Sequence, residues 1–591
     1  TSEFKDCHLT DYNKFEGFEV VNIPHTIYTT PLSNFDEKEF FKNACYKKEI
    51  KVKKEYEGKD INIVFEGVGH KSTIYVNDDF VVIHSGGYDE FKVNISDYLK
   101  YGQTNIITVV VNASENENIP PFGNFLDSLA YGGIYRDVYL EITDKEKIDD
   151  FFIRTPNIND SITAYCDITV TYTPVEIVLT VYDGENTLSV NKYNVNREKE
   201  TLDFDVKNKE NWTPENPKLY NINIKMFQEK KLLDEVNGRF GFREISTEKD
   251  GFYLNGKKIT LIGLNRHGSY PYQGMAVTKS MEYKEADILK TELGVNCVRS
   301  AHIPFSRNFL DACDEKGILV IEEIPGWNHF GNEEFHKNTK QNIKSMIQRD
   351  RNHPSIIMWS VRVSGAVDNF KLFNDTNEIA KNLDPTRLTF GAKSIKNGDI
   401  VEDVYGYNFY QDVSKKINIK PKRPNFMIAE HTGHMLPTKI YDDEGKRLKQ
   451  ALTHLKCIDY TLGNENIFGT IGYSMTDYNT HANFGSSDKI CYSGVLDMFR
   501  NPKYAQSAYQ SQCNDNVVMN LVSSGSRGDY LNSKMDEMYI FTNCEYVKMF
   551  KNDSFVETFY PDVKEFPNLP HAPIKINDPI GQVLERQEKM N

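Results

Sequence analysis

The stretch Asn425-Phe-Met-Ile-Ala-Glu-His-Thr432 is apolar up to a single carboxylate, Glu430, and then breaks into polar residues. That is the pattern of a buried strand delivering one acid to a rim. Similar endings recur. Arg266 follows Leu264-Asn265, and Arg299 and His302 close a run that begins at Val295. Glu323 precedes Pro325 and Trp327, Tyr407 and Asn408 end another run, His434 follows Glu430, and Asp477 and His481 follow Met475. Run ends that share Arg, His, Glu, Asn and Tyr point to one pocket. Carboxylates, amides and aromatic planes together suit a carbohydrate, whose hydroxyls take acceptors and donors and whose ring faces take aromatics. Trp327 either stacks on a sugar or buttresses the mouth. His302 either holds a hydroxyl or carboxylate or is a satisfied rim histidine. Glu430, His431 and His434 lack the helical spacing of a zinc site and follow a strand, which disfavours zinc. No P-loop or dinucleotide fingerprint occurs, and the glycine pairs lack the helix and spacing those motifs need.

Eight runs could position these residues: Ile259–Asn265, Val295–Ala301, Ile318–Glu323, Ile356–Val361, Leu388–Ala392, Val401–Asn408, the Glu430 run and Phe468–Met475. Eight strands with helices between them are the parts of a (β/α)8 TIM barrel, whose chemistry sits at the C-terminal strand ends. Phe370, Phe373, Asn377, Ala380 and Leu383 recur at helical spacing, Asp384-Pro385 stops that helix, and Met281–Leu293 reads the same way.

The fold class is multidomain, with β-sandwich domains beside the barrel. A chain of 591 residues exceeds one hydrophobic core. Residues 1–145 read as a β-sandwich, with Asn77-Asp78-Asp79 as a turn and Arg136 as an interface anchor. Residues 146–245 fit an immunoglobulin-like sandwich with Trp212 plugged against it. Asn255-Gly256 is a hairpin turn before the barrel of residues 246–512. Residues 513–591 read as a small or partial β domain with a turn at Asn552-Asp553, then prolines and a partly disordered end. A net charge of −15 argues against nucleic acid. Nine scattered cysteines without a CxxC pair suggest free thiols in a reducing, cytoplasmic setting. No apolar run is long enough to span a membrane. A start at Thr1 without Met or signal peptide keeps a periplasmic or secreted location open.

Six motifs resemble glycoside hydrolase family 2: Pro24-His25, Gly132-Gly-Ile-Tyr-Arg-Asp-Val138, Phe240-Gly-Phe-Arg243, Leu264-Asn-Arg-His267, Val298-Arg-Ser-Ala-His302 and His353-Pro-Ser-Ile-Ile-Met-Trp-Ser360. The likeness covers residues 20 to about 510 and is nearest to bacterial β-galactosidases. It implies a jelly-roll-like sugar-binding domain, an immunoglobulin-like domain, a TIM barrel and retaining hydrolysis of β-linked sugars, β-galactosides first. It also implies homo-oligomers, no required cofactor, a Mg or Na ion near the site in some relatives, and a truncated domain at residues 513–591. The metal set itself stays unknown.

A retaining glycosidase needs two carboxylates about 5–5.5 Å apart. The resemblance assigns the nucleophile to Glu430. It places the acid/base Glu after an Asn in the loop following Trp359-Ser360. Laid onto the family, that Asn is Ser364 and the Glu is Gly365; a register one residue shorter gives Val363 and Ser364. Neither supplies a carboxylate. Asp368 is the nearest substitute acid, with Glu323 and Asp403 behind it. The expectation is therefore a β-galactosidase-type hydrolase, weakened or silent. The alternatives are a carbohydrate-binding pseudoenzyme, a variant altered at Ser364-Gly365, a scaffold, or a β-glucuronidase type using Arg266 and Arg362 for a carboxylate.

Overall fold

Turn chemistry fixes the strand pairings. Asn77 and Asp78 take φ of 50° and 72° and join Lys71–Val76 to Asp79–Ser85. Asn255 and Gly256, at 53° and 72°, turn the hairpin that leads into the barrel. Asn552 and Asp553, at 47° and 62°, join Val547–Lys551 to Ser554–Phe559. Two consecutive left-handed residues match the twist of the flanking strands. All three turns stand where the sequence places them. The computed structural model of the chain describes residues 9, 17–123, 127–156, 164–413, 417–514, 516–523 and 538–577.

In the first sandwich, a four-stranded antiparallel sheet (Asn43–Lys51, Thr104–Asn112, Lys71–Val76, Asp79–Ser85) faces a three-stranded one (Phe91–Asn94, Asp60–Phe65, Val138–Thr143). Ile61, Ile63, Phe65, Ile74 and Val109 fill the space between them. The second sandwich packs Ile148–Arg154, Ala164–Val170 and Lys199–Phe204 on Asn186–Val195, Val175–Asp183, Tyr220–Gln228 and Lys231–Phe240. Ala164–Val170 alternates buried and half-buried side chains, as a two-faced strand must.

The barrel closes from eight parallel strands: β1 Leu261–Arg266, β2 Cys297–Ser300, β3 Leu319–Glu323, β4 Ile356–Ser360, β5 Leu388–Lys393, β6 Val404–Phe409, β7 Phe426–His431 and β8 Gly469–Gly472. Leu261 pairs with Gly469 to complete the ring. The eight runs read from sequence are these strands. Their ends differ, because Lys257–Ile259 belongs to the preceding hairpin and the polar residues past Gly472 turn into loop. Outside lie α1 Lys279–Asp287, α2 Arg307–Lys316, α3 Glu333–Asp350, α4 Phe370–Leu383, α5 Glu444–Leu462 and α6 Tyr504–Gln510. Ser306 caps α2 and Asn332 caps α3 through side-chain oxygens.

Two motif residues lock the units together. The Arg136 guanidinium donates to the Pro304 carbonyl in the loop after β2, and Arg243 donates to the carbonyls of Pro354 (2.9 Å) and Ile356 (3.3 Å). Trp212 differs from expectation. It plugs the floor of the barrel with Phe252, Leu261, Leu319 and Ile357, and its indole donates to the Asp314 carbonyl at 2.8 Å. After α6, Met519–Leu521, Met538–Thr542 and Ile574–Ile576 form one sheet. The proline-rich stretch before the last of these packs Phe566, Leu569 and Ala572 onto the helical layer. Pro579 and the end expected to be disordered lie outside the described residues. Among those residues, no helix is long and apolar enough to cross a membrane, and every cysteine is unbonded.

Candidate active site

Strict alternation along β7 would turn Glu430 toward the helices, because Phe426 and Ile428 already face that layer. The register with β6 breaks there: Tyr407 pairs with Ile428 and Asn408 with Glu430, which leaves Ala429 unpaired. This one-residue bulge resets the alternation and aims Glu430 into the barrel mouth.

Arg299 on β2 holds the arrangement together. Its Nη1 donates to Glu430 Oε1 at 2.8 Å and to Asn265 Oδ1 at 3.0 Å. Its Nε and Nη2 reach Glu323 Oε2 at 2.9 and 2.7 Å, and Nη2 also reaches Ser364 Oγ at 3.2 Å. The Tyr410 hydroxyl donates to the other Glu430 oxygen. Glu323 also binds His302 Nδ1 (2.6 Å) and accepts from Ser360 Oγ (2.7 Å). Burial alone would raise the Glu323 carboxyl, but Arg299 and His302 bring it below the usual carboxylate range. Burial disfavours the charged His302, yet Glu323 outweighs it and moves the imidazole up. His302 Nε2 lies 3.9 Å from Glu430 Oε1 without a hydrogen-bond partner, and its ring stacks parallel to Trp327. The buried Asn408 Oδ1 beside Glu430 is also unpartnered. Two unpaired buried polar atoms beside a carboxylate suit a polar ligand.

A second group comes from the first sandwich. Asp127 reaches into the mouth, where Oδ2 accepts from Tyr473 (2.7 Å) and Tyr478 (3.3 Å) and lies 3.9 Å from His434 Nε2. His434 also meets Cys491 Sγ at 3.4 Å. The hollow here is lined by Asp127, His267, His302, Trp327, Tyr478 and Asn479. Nothing in the sequence marks Asp127, Tyr473 or Cys491: Asp127 meets Tyr473 across 346 residues, and Cys491 meets His434 across 57. His267 stood in the Leu264-Asn-Arg-His267 motif.

The end of β4 is built differently. Gly365 takes φ of +68°, and a Cβ there would lie 2.5 Å from Asn328 Oδ1 and 3.5 Å from Trp327 Nε1. The Asn328 amide donates to the Ser364 carbonyl at 2.8 Å, so the loop after β3 closes over the position. Asp368 is held by Lys393 (2.6 Å) and Arg362 (3.2 Å).

Several expected residues lie elsewhere. Arg266 points outward to Glu282 and Glu285 with Phe309 beneath it, because its place on β1 faces the helices. Arg362 faces α4, spanning both oxygens of Glu402 and stacking on Phe373. Tyr407 packs in the outer layer with Tyr405 and Phe409. Asp477 is buried against Lys503 at 2.6 Å, and burial pushes its carboxyl up to about 7. His481 joins the sandwich through Glu115 (2.6 Å) and Glu37 (3.4 Å). Asp403 bonds Thr389 at the start of β5, the opposite barrel end from the mouth. Among the described residues, Asp311, Asp314 and His353 are near enough together for a metal. Arg239 lies 2.7 Å from Asp311 and 4.0 Å from Asp314, so a cation already takes that place and the set does not suit a metal.

Three family models match consecutive segments: the glycosyl hydrolases family 2 sugar binding domain over residues 11–143, glycosyl hydrolases family 2 over 146–243, and the family 2 TIM barrel domain over 245–425. A β-galactosidase of Thermoanaerobacter pseudethanolicus is 39% identical over 588 residues, covering 97% of this chain and 79% of the relative. One from Thermoanaerobacterium thermosulfurigenes is 38% identical, covering 97% and 84%. Among solved structures, a Bacteroides uniformis β-glucuronidase superposes with a TM-score of 0.77 at 23% identity, covering 95% of this chain and 73% of that one. At that identity the likeness is one of fold. Matched from the first sandwich into the barrel and along nearly its whole length, the chain belongs to the glycosyl hydrolases of family 2.

Proposed function

We propose that the chain is a retaining β-glycoside hydrolase of β-galactosidase type, with Glu430 as nucleophile and no general acid/base at Gly365. The observation that carries this reading is the contrast within one cavity: Glu430 has its full set of partners, while the loop after β4 offers a left-handed glycine under Asn328. The other carboxylates are poor substitutes. Glu323 has spent its oxygens on Arg299, His302 and Ser360 and stays ionised. Asp477 is held up to about 7, a useful value for an acid, but it faces Lys503 and the Gly494 amide. Asp368 lies between two cations. A neutral sugar is favoured because Arg266 and Arg362, the two cations considered for a substrate carboxylate, are consumed in the helical layer. The two relatives at 38–39% identity, both β-galactosidases, support the same sugar.

Glu430 would attack the anomeric carbon and give a covalent glycosyl-enzyme. Asn408 Oδ1 and His302 Nε2 are placed to meet sugar hydroxyls. Without a base to prepare water, the second step limits turnover. The test is intact-protein mass spectrometry with dinitrophenyl β-galactoside. One added hexosyl unit is expected, mapping to Glu430 and absent from Glu430→Gln. Sugar binding without any adduct would instead favour the binding protein, a reading that the unpaired polar atoms of the cavity also fit. Lactose hydrolysis as fast as aryl galactoside hydrolysis would mean that another acid serves.

A further inference from the structure

A groove of about 750 Å³ runs between the two sandwiches and the helical layer, and it shares no lining residue with the hollow beside Glu430. Its walls are the His84–Lys92 region of the first sandwich, Phe151 and Gly238 of the second, and helices α2 and α3. It extends to Asn352 and His353, which precede β4 and so stand at the barrel end opposite the mouth. Hollows of about 300–1,000 Å³ at domain junctions are ordinary ligand sites.

The charges of these walls cancel in pairs. Lys92 lies 2.8 Å from Glu141, and Arg307 lies 2.7 Å from Glu90. Arg239 lies 2.7 Å from Asp311, and Arg349 lies 2.5 Å from Asp350. Asp314 meets His353 at 2.6 Å, and Arg351 holds Asp150. A wall whose every cation is answered by an acid has little field with which to select an ion. It still sets hydrogen-bond donors and acceptors side by side.

Free amides stand among these pairs. Gln341, Ser345 and Gln348 recur at helical spacing along α3 and all face the groove. Ser345 is used to tie α3 to the first sandwich, its hydroxyl donating to the Glu90 carbonyl at 2.6 Å. Gln341 and Gln348 are exposed, and their amides have no partner among the described residues. Each offers two N–H donors and an oxygen acceptor. Two rings share the groove with them. The His84 imidazole is backed by the Phe91 ring, with centres 3.8 Å apart and planes at 11°, and its edge is held by Asp89 at 3.1 Å. Phe151 lies over Gly238, where a Cβ would come within 2.6 Å of its ring. Uncharged donors and acceptors beside aromatic rings match sugar hydroxyls and sugar ring faces.

We propose that this groove is a second carbohydrate site, binding a neutral oligosaccharide with its hydroxyls on Gln341 and Gln348 and its ring faces on His84 and Phe151. The Glu430 cavity contributes nothing to it, so the proposal does not rest on the reading of Gly365.

The test is calorimetric titration of Glu430→Gln, which leaves the probe uncut, with β-1,4-galactotetraose in the presence of excess galactose to fill the cavity. One bound tetraose per chain is expected. Gln341→Ala/Gln348→Ala, made in that background, should weaken binding about 10-fold, as the loss of two hydrogen bonds requires. Gln348→Trp, which puts a bulky side chain into the groove, should abolish it. Both changes replace exposed side chains and should leave the unfolding temperature in place; if one lowers it, the other decides. Tetragalacturonate and a chitosan tetramer, the charged controls, should bind at least about 10-fold more weakly. Affinity unchanged in both variants would place the tetraose elsewhere and overturn the proposal. Binding seen only when galactose is left out would assign the tetraose to the Glu430 cavity, overturning the groove and leaving the reading of that cavity standing. Tighter binding of either charged control would overturn the neutral assignment, and no binding of any tetramer would overturn the site altogether.

Discussion

The ends of β7 and β4 face the same cavity and are built in opposite ways. At β7 the carboxylate is set by a bulge inside the sheet and clamped by Arg299 from β2 and Tyr410 beyond β6. At β4 the corresponding position lies in a loop, Ser364-Gly365, whose backbone takes a left-handed turn and whose side-chain space is closed by Asn328. A group fixed by the sheet cannot be removed without leaving buried charges unpaired. A group on a loop can be, because the loop re-closes through a glycine and a neighbouring amide. The side of the cavity woven into the barrel thus presents a clamped carboxylate, and the side carried by a loop presents a glycine.

The comparison can be broken most directly at Glu430. Glu430→Gln should lower single-turnover release of dinitrophenol by on the order of 10⁴-fold or more, measured by stopped-flow absorbance. Release at the wild-type rate would move the nucleophile elsewhere. The next effect is repair at β4. An added acid is worth roughly 10²–10⁴-fold on an unactivated galactoside. Ser364→Asn/Gly365→Glu alone should fall well short of this, because the new Cβ meets Asn328 Oδ1 at 2.5 Å and φ of +68° strains any residue but glycine. Adding Asn328→Gly should recover the range, since Asn328 itself sits at φ of 58°. Full recovery from the double variant would show that the loop is not closed against the acid.

Arg299→Ala should destabilise the barrel by about 3–5 kcal/mol, because it strands Glu323 and Glu430 together in a buried site. Urea unfolding reads this. The loss should shrink when Glu323→Gln and Glu430→Gln are added, and an unchanged loss would mean packing rather than charge.

The smallest effect is in pH. Burial lowers the His434 imidazole, but the Cys491 sulfur beside it prevails and brings it to about 9, above its ordinary 6.5. A raised value means stability fully present below pH 6.5 and lost as pH rises through about 9. His434→Gln should remove that decline, on the order of 2 kcal/mol between those limits. A wild-type stability flat from pH 6.5 to 9 would contradict the pairing.

What the sequence determined by itself is local. Asn-Asp and Asn-Gly pairs placed the turns, since few residues tolerate two left-handed positions in succession. Apolar runs of strand length separated by helical periods gave the eight-stranded barrel. An acid closing the seventh run marked Glu430, and the family resemblance drew attention to Ser364-Gly365. Tertiary structure decided which way the polar strand ends point. Arg266, Tyr407 and Arg362 resembled cavity residues by position, but strand parity turns the first two into the helical layer and Glu402 with Phe373 draws Arg362 there from the loop after β4, whereas a bulge that no local pattern announces turns Glu430 inward. Asp127 entered the site only because the first sandwich packs on the barrel mouth. Asn328 became the neighbour of Gly365 only because the loops after β3 and β4 meet. A single chain position carries no record of partners so far along the sequence. Their proximity is set by the summed packing of three domains.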